Sequence, residues 1–238
     1  MKNHSKGDRF LLLSNKMVLI LLVLVVLLPL LYILLASFLD PNVLLSRGFS
    51  LNPNHWSMEG YKRIFQDDLM IKGFINSIIY SVGFTLVTIL VTIFAAYPLS
   101  LDGFRGKNVI MVFFLITMFF SGGLIPTYLV VKDLGMLNTI WAIILPGAIS
   151  VWNIILARTF FKSLPKEPFE AAKIDGASEL KIFLKIVLPL SKPIIFVLAL
   201  YAFVGQWNSY FDAMIYLEDQ ELHPLQLVLR SILIQNQV

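Results

Sequence analysis

The sequence predicts an all-α membrane protein. Hydrophobic residues make up 58% of the 238-residue chain and charged residues only 14%, against about 25% charged in ordinary soluble domains. The mean hydropathy is +0.79. When a soluble domain of this size folds, roughly a third of the surface of its unfolded chain stays exposed to water, so it cannot bury so many apolar side chains. The composition therefore excludes a soluble enzyme, a disordered chain and a nucleic-acid-binding domain.

Five membrane spans are predicted in order along the chain. A transmembrane helix needs about 20 mostly apolar residues. Residues 1–16 precede the first such run and are predicted to form a cytoplasmic tail. The first run is longer than the apolar core of about 7–15 residues in a signal peptide, so we expect it to be a retained span. The predicted spans are about 17–39, 73–101, 108–131, 136–161 and 187–217.

Lysine and arginine predict the orientation of these spans. With a cytoplasmic N-terminus, thirteen of the 19 Lys and Arg residues lie inside and six outside, which fits the positive-inside rule. The acids Asp212, Glu218, Asp219 and Glu221 then cluster outside. The pI near 9.2 is explained by a basic cytoplasmic face, and no nucleic-acid partner is needed. We expect a multi-pass protein of the plasma membrane.

Patterns for catalysis or metal binding are missing from the sequence. There is no cysteine, and the histidines His4, His55 and His223 are far apart, which argues against a metal site. The string Gly103–Asn108 lacks the spacing and the hydroxyl of a phosphate-binding P-loop. We therefore expect no metal and no cofactor bound by this chain.

The cytoplasmic loop at 162–192 predicts two short helices. The first is expected from Pro165 to Asp175, because proline is tolerated in a first turn and Gly176 is a natural left-handed stop. Ser178 is expected to cap the second helix. A helix of about eleven residues is marginal in isolation. The first helix must therefore pack on this chain, on lipid head groups or on a partner protein.

The spacing within this loop resembles the EAA signature of ABC importer permeases. Glu170-Ala171-Ala172 is followed after three residues by Gly176, and after nine more by Ile186-Val187-Leu188-Pro189. The stretch Met118–Phe161 resembles the second permease of sugar-type importers, and within these the subgroup for complex oligosaccharides. The similarity covers nearly all of 17–238. It implies a type I ABC importer transmembrane helical bundle whose sixth span is missing here, so we expect a fragment.

The resemblance implies a role for each residue of the motif. In that family the loop is a coupling helix, which sits in a groove of a cytoplasmic ATPase subunit. Glu170 would pair with an ATPase arginine and Phe169 would fill the groove. The alternatives are a solvated acid for Glu170 and a lipid-facing ring for Phe169. The implied coupling residues are Phe169, Glu170, Ala171, Ala172, Asp175, Gly176, Leu188 and Pro189.

Polar side chains in the last predicted span suggest a sugar path. Polar residues within a span are costly and tend to face a bundle interior or a water-filled cavity. On a continuous helix, Tyr201, Gly205, Asn208, Asp212 and Tyr216 would share one stripe. The alternative is hydrogen bonding that joins helices without touching substrate. The candidates in this span are Tyr201, Gln206, Trp207, Asn208, Tyr210 and Asp212.

Breaks within the third and fourth spans add further candidates. Broken helices are tolerated at membrane depth where they line a cavity. Interruptions are expected at Gly122-Gly123 with Pro126 and at Pro146-Gly147, although ordinary proline kinks are an alternative. Asn153 is a further candidate for the path and is expected toward the cytoplasmic end of the fourth span. Nearby Arg158 is expected to snorkel to the head groups.

The resemblance also implies the function and the partners. The chain would be a permease subunit in a bacterial plasma membrane, importing an oligosaccharide with ATP energy, and it would not itself be an enzyme. It would pair with a second permease, as a heterodimer, above two ATP-binding subunits that hold ATP and Mg. A sugar-binding protein or lipoprotein would deliver the substrate outside, at 40–72 and at the tail after Leu217. Alternatives are an amino-acid or polyamine importer, a secondary transporter and a purely structural subunit.

Overall fold

A computed structural model describes residues 6–50 and 52–235, which are helical apart from loops and one isolated bridge. The chain divides after Asp67 into two compact units, which are described separately. The first unit holds α1 (Lys6–Ala36), α2 (Pro41–Arg47) and α3 (Glu59–Gln66). The second begins with α4 (Asp68–Ser100), a helix of 33 residues, or about 50 Å at 1.5 Å per residue.

In the first unit, α1 is apolar on every side. Its stretch Phe10–Ala36 has a mean hydropathy of 3.4, and its large apolar side chains from Phe10 to Leu34 are exposed. A helix that is hydrophobic all round at this length is typical of a membrane span. The chain after α1 is tied by an antiparallel bridge between Leu39 and Trp56.

The second unit continues with short helices separated by breaks. These are α5 (Lys107–Phe119), α6 (Leu124–Asp133), α7 (Trp141–Ile144), α8 (Val151–Lys162), α9 (Glu167–Ile174), α10 (Glu179–Ile182), α11 (Leu188–Leu190), α12 (Lys192–Trp207), α13 (Phe211–Tyr216) and α14 (Leu225–Gln235). A π-helical turn, Phe183–Val187, joins α10 to α11.

Helix α4 is the centre of the second unit, since α8, α12 and α14 all pack against it. Its buried face carries small residues at helical spacing, and the buried polar ones include Ser77, Ser81, Thr88 and Thr92. Small side chains let helices approach closely within a membrane, where no hydrophobic drive separates protein from lipid. The packing of neighbouring helices on α4 therefore depends on this small-residue face.

The predicted breaks both occur. The chain bends by 111° between α5 and α6, across residues 120–123, where Gly123 has φ 84°. The region predicted as a fourth span is α7, an irregular segment at 145–150 that contains Pro146-Gly147, and α8. Within residues 6–50 and 52–235, two helices, α1 and α4, are long and apolar enough to cross a membrane, and the number of spans rises to four if each bent helix pair counts as one.

The tail after Leu217 contains a helix, since Pro224 is followed by α14. The Leu225 backbone N–H donates to Ser77 Oγ at 2.9 Å, which satisfies one N–H of the first turn. A Cβ at Gly73 would lie 3.1 Å from Val228 Cγ2 and 3.2 Å from Leu225 Cα. The missing side chain of Gly73 therefore permits α14 to lie against α4.

The terminal segment (residues 217–225) is held at several points. Lys72 Nζ lies 2.6 Å from Glu221 Oε1, and Tyr80 Oη donates to the carbonyl of Leu222 at 2.7 Å. Asn138 Oδ1 accepts the backbone N–H groups of Glu218 and Asp219, at 3.1 and 3.0 Å. Asn138 itself has φ 57°, a left-handed backbone that asparagine tolerates better than most residues.

This arrangement predicts an order of stability for two variants of Asn138. Both Asn138→Gly and Asn138→Ala remove the acceptor for two backbone N–H groups, so both should melt below the wild type. Alanine also opposes the left-handed backbone, at a cost of about 1–2 kcal/mol. Thermal unfolding of the detergent-solubilised protein should therefore rank wild type above glycine and glycine above alanine. Equal melting of the two variants would contradict this role of the backbone angle.

Candidate functional site

Helix α9 begins and ends through local interactions. Lys166 precedes it, Pro168 lies in its first turn, and Glu167 and Glu170 both lie near its N-terminus. Acids at this end are favoured by the helix dipole. The helix is shorter than the predicted 165–175. Lys166 is its N-cap and Asp175 its C-cap, so the helical residues are Glu167–Ile174.

The turn after α9 is a Schellman motif. The Ala177 N–H donates to the carbonyl of Ala172 at 2.9 Å, and the Gly176 N–H donates to that of Lys173 at 3.0 Å. Gly176 has φ 74°, as this motif requires. Ser178 then caps α10, its Oγ accepting from the Lys181 N–H at 3.3 Å. The predicted glycine stop and serine cap are both confirmed.

Helix α9 has two different faces. Phe169 and Ala172 are half-buried and pack against a core that contains Ile182, Phe183 and Val187. The opposite face exposes charged and small side chains together with one large apolar side chain, Ile174, which is 86% exposed. The residues of this exposed outer face are Glu167, Glu170, Ala171 and Ile174.

Phe169 lies on the inner face of α9. Its half-buried ring packs against the protein's own core and also lines a cavity. The role in a partner's groove that the resemblance implies for Phe169 stays a prediction. Ile174 is the apolar side chain that α9 offers outward, and Phe169 fixes the helix to the rest of the chain.

The EAA motif ends just before a sharp bend in the chain. Leu188 is half-buried against the same core, and Pro189 is exposed. Both belong to α11, which follows the π-helical turn. The axis then bends by 76° at Ser191 into α12. The motif therefore begins on α9 and ends where the loop turns into the membrane helix.

A cavity of about 680 Å³ lies beside α9. Lys173 Nζ and Glu179 Oε1 are 2.8 Å apart on its wall, and Tyr97 Oη donates to Glu179 Oε2 at 2.9 Å. The Lys173 ammonium, through this contact, holds the pKa of Glu179 below its usual range. The cavity is lined by Tyr97, Ser100, Leu101, Asp102, Gly103, Phe104, Phe161, Lys162, Leu164, Lys166, Phe169, Glu170, Lys173, Glu179 and Val187.

Arg158 has a role that the sequence does not reveal. Its Nε donates to the carbonyl of Leu99 at 2.9 Å, while the predicted snorkelling to the head groups stays a prediction. The last carbonyls of a helix have no intrahelical partner, and Leu99 lies in the last turn of α4. Lys107 Nζ donates to the carbonyl of Leu101 at 3.0 Å, at the same end of α4.

The predicted polar stripe is divided by the end of α12. The helix stops at Trp207, and Asn208 Nδ2 donates to the carbonyl of Val204 at 2.7 Å. Asparagine side chains compete in this way with helix continuation. Asp212 lies beyond the break, exposed in the first turn of α13, whereas Tyr216 is buried against Tyr128. The expected single stripe from Tyr201 to Tyr216 is therefore wrong.

The other candidates of the last span have different surroundings. Trp207 contacts Phe74 edge-on at 5.7 Å and stacks on Phe203 at 6.1 Å. Tyr201 is exposed and Gln206 is half-buried.

Arg230 is a candidate that the sequence does not reveal. Tyr210 is 39% exposed, and the guanidinium of Arg230 lies 4.8 Å from the centre of its ring. Arg230 lies on α14, beyond the last predicted span, so no helical spacing relates it to Tyr210. The contact exists because the chain turns back between α13 and α14.

The remaining candidates lie on other elements. Gly122 and Gly123 are exposed between α5 and α6. Asn153 lies in the first turn of α8, where its backbone N–H donates to Ser150 Oγ at 3.3 Å. Asn153 therefore lies in the second half of the predicted fourth span (136–161), on the part of it that leads into the EAA loop.

Comparisons with known proteins identify the class to which this architecture belongs. The profile of the family described as "Binding-protein-dependent transport system inner membrane component" matches residues 85–217, a range that includes α9 and its turn. The chain belongs to this family. It is a membrane permease subunit of an ABC importer and not an enzyme.

Individual relatives and one solved structure agree with this assignment. The chain is 43% identical to "Protein LplC" of Bacillus subtilis (strain 168), over 88% of this chain and 71% of that protein. It is 41% identical to the "Polygalacturonan/rhamnogalacturonan transport system permease protein YtcP" of the same organism, over 91% of this chain and 76% of the relative. A bacterial ABC transporter "involved in the import of the acidic polysaccharide alginate" matches with a TM-score of 0.89 and 32% identity, covering 100% of this chain and 85% of that one.

The Schellman turn predicts a local effect of Gly176→Ala. Alanine in the left-handed region costs about 1–2 kcal/mol, so the last turn of α9 should fray. Hydrogen exchange of the backbone amides at 175–177 should become several-fold faster. Gly103→Ala is the matched control, because Gly103 lies in an open loop with nothing within 4 Å. Unchanged exchange in Gly176→Ala would contradict the assigned turn.

Proposed function

We propose that this chain is one of two membrane subunits of an ATP-driven importer and that an ATPase docks on the exposed face of α9. The observation that carries the proposal is the geometry of α9. Its inner face is fixed by Phe169 and Ala172, while its outer face presents Glu170 beside an exposed Ile174. An exposed isoleucine beside a carboxylate fits a partner groove that has an apolar floor and a basic rim.

The orientation follows from this docking. The EAA loop must face the cytoplasm, where ATP is available. The loop is rich in lysine, with Lys162, Lys166, Lys173, Lys181 and Lys185, as the positive-inside rule favours for cytoplasmic segments. The N-terminus would then be cytoplasmic, and the terminal segment would be extracellular. ATP and Mg would be held by the ATPase chains.

The substrate class is supported by the relatives. YtcP is named for polygalacturonan and rhamnogalacturonan, and the matching structure comes from an alginate importer. We propose an oligosaccharide as the substrate, with acidic oligosaccharides as the first to test. Arg230, held over the ring of Tyr210, offers a guanidinium that suits a sugar carboxylate. An amino-acid or polyamine substrate has no such support.

The remaining partners would be a second permease and an extracellular binding protein. The binding protein would rest on the terminal segment, which Lys72, Tyr80 and Asn138 hold in place. A firmly held surface suits rigid docking better than a mobile loop, because little ordering cost is incurred on binding. The second permease would complete the sugar path.

The test is to purify the complex through a tag on this chain and reconstitute it in liposomes. We expect an ATPase and a second permease to co-purify in stoichiometric amounts. ATP hydrolysis should rise when the binding protein is added with an oligogalacturonide or an alginate oligosaccharide. A complex that hydrolyses ATP with no response to any of the acidic or neutral oligosaccharides would reject the sugar assignment.

Docking of an ATPase on the exposed face of α9 predicts a loss of binding in Ile174→Asp. Burial of an isoleucine side chain contributes about 2 kcal/mol, so a charge at this position should weaken ATPase retention at least tenfold. Co-purification measured across a dilution series checks this. Leu180→Asp is the matched control, because Leu180 is also well exposed, at 60%, but lies on α10. Equal losses in both variants would argue against docking on α9.

A sugar path that includes the ring of Tyr210 predicts different uptake in Tyr210→Ala and Tyr210→Phe. Tyr210→Ala removes an exposed ring and the support of Arg230, and uptake of the preferred oligosaccharide should fall about five- to tenfold, the effect of about 1 kcal/mol or slightly more. Tyr210→Phe keeps the ring and should retain most of the uptake. Co-purification of the other subunits should be unchanged in both. Equal loss of uptake in the phenylalanine variant would mean that the ring is not the contact.

A further inference from the structure

One chain of polar contacts joins the coupling helix to α4. Lys173, in the last turn of α9, pairs with Glu179 at the start of α10 at 2.8 Å. The other carboxylate oxygen of Glu179 accepts a hydrogen bond from Tyr97 Oη at 2.9 Å. Tyr97 belongs to α4. We call this arrangement the Tyr97–Glu179–Lys173 bridge.

The ring of Tyr97 is fixed independently of its hydroxyl. Its centroid lies 4.7 Å from that of Phe183, the first residue of the π-helical turn, and 6.4 Å from that of Phe161 on α8. The aromatic contacts therefore place the hydroxyl at Glu179 without help from the hydrogen bond. Loss of the hydroxyl alone would leave this packing in place.

Stability alone gives a weak reason for the bridge. The side chains of Lys173 and Glu179 are each about half exposed, at 53% and 51%, and exposed ion pairs contribute little net stability. None of the three residues occupies a fixed position of the EAA signature. The bridge is distinguished by its position, since it connects α9 to α4, the helix against which the rest of the second unit packs.

Helix α4 extends from this bridge to the other end of the second unit. At its N-terminal end, Lys72 and Tyr80 hold the terminal segment, and α8, α12 and α14 contact its length. A displacement of α9 that is passed to α4 would therefore reach the side of the membrane where the sugar enters. A flexible loop between α9 and α4 would lose part of such a displacement.

We propose that Glu179 is a positioning residue which makes the coupling helix and α4 move together, so that ATP-driven motion of α9 is converted into opening of the sugar path. This inference rests on the proposed function, because it needs an ATPase docked on α9. Tyr97 supplies the contact on α4, and Lys173 supplies the contact on α9. Glu179 joins the two through its separate oxygens.

The test compares sugar transported per ATP hydrolysed in proteoliposomes that contain the whole complex. Tyr97→Phe keeps the ring packing and removes only the hydroxyl. Glu179→Gln removes the charge that pairs with Lys173. Each should lower the transport-to-hydrolysis ratio about fivefold, the lower end of a typical coupling between sites. ATPase retention and the melting temperature of the complex should stay at wild-type values.

The double variant and a matched control separate the bridge from general damage. Tyr97→Phe with Glu179→Gln should be no worse than the more severe single variant, because both changes break one connection. Lys162→Met removes a lysine from the wall of the same cavity and should keep the wild-type ratio. A fivefold loss in Lys162→Met, or additive losses in the double variant, would overturn the bridge.

The bridge and the proposed function fail in different ways. A wild-type complex that transports sugar while Tyr97→Phe and Glu179→Gln keep its transport-to-hydrolysis ratio would overturn the bridge and leave the proposed function intact. A wild-type complex that lacks a bound ATPase or transports no oligosaccharide would overturn the proposed function, and the bridge with it. A lower melting temperature in Tyr97→Phe would mean that the hydroxyl acts on stability, which also overturns the bridge.

Discussion

Close packing around α4 is the constraint on which the second unit depends. Lipid gives no hydrophobic drive for one helix to prefer another, so helices within a membrane associate through shape and through polar contacts. Gly73, Ser77 and Ser81 keep one face of α4 thin, and neighbouring helices lie against it. The same helix holds the terminal segment at one end and contacts the EAA loop at the other. Larger side chains on this face would push the neighbouring helices away from α4.

Local rules account for what could be predicted from the sequence. The apolar runs identify a membrane protein, and Gly176 and Ser178 mark the turn between α9 and α10 through the backbone requirements of a Schellman motif and a serine cap. Gly122-Gly123 and Pro146-Gly147 likewise identify the breaks in the helices near residues 122 and 146. Each of these signals depends on a few neighbouring residues, which the sequence displays directly. The positions of α9 and of the turn that follows it are therefore predictable to within a residue or two from the sequence.

Long-range contacts account for what could not be predicted. Helical spacing shows that Phe169 and Ala172 share a face, but it does not show whether that face meets this chain or a partner. Arg158 reaches the carbonyl of Leu99, 59 residues away in sequence, and no local pattern indicates such a pairing. Asn208 ends α12 through its own side chain, although asparagine within an apolar run is equally compatible with a continuing helix. The predicted substrate stripe passes through that position and is wrong for this reason.

The hydroxyls on α4 have a mechanical consequence. Ser81, Thr88 and Thr92 are buried, yet within the described part of the chain their side-chain oxygens have no hydrogen-bond partner. Directional bonds would lock neighbouring helices into one register, whereas small apolar contacts resist separation and tolerate sliding. Between Ser81 and Thr92, α4 therefore presents contacts that depend on shape alone. Its directional bonds lie toward the two ends, where Ser77 accepts from α14 and the Leu99 carbonyl accepts from Arg158 on α8. Small adjustments of the neighbouring helices are therefore easiest along the middle of α4.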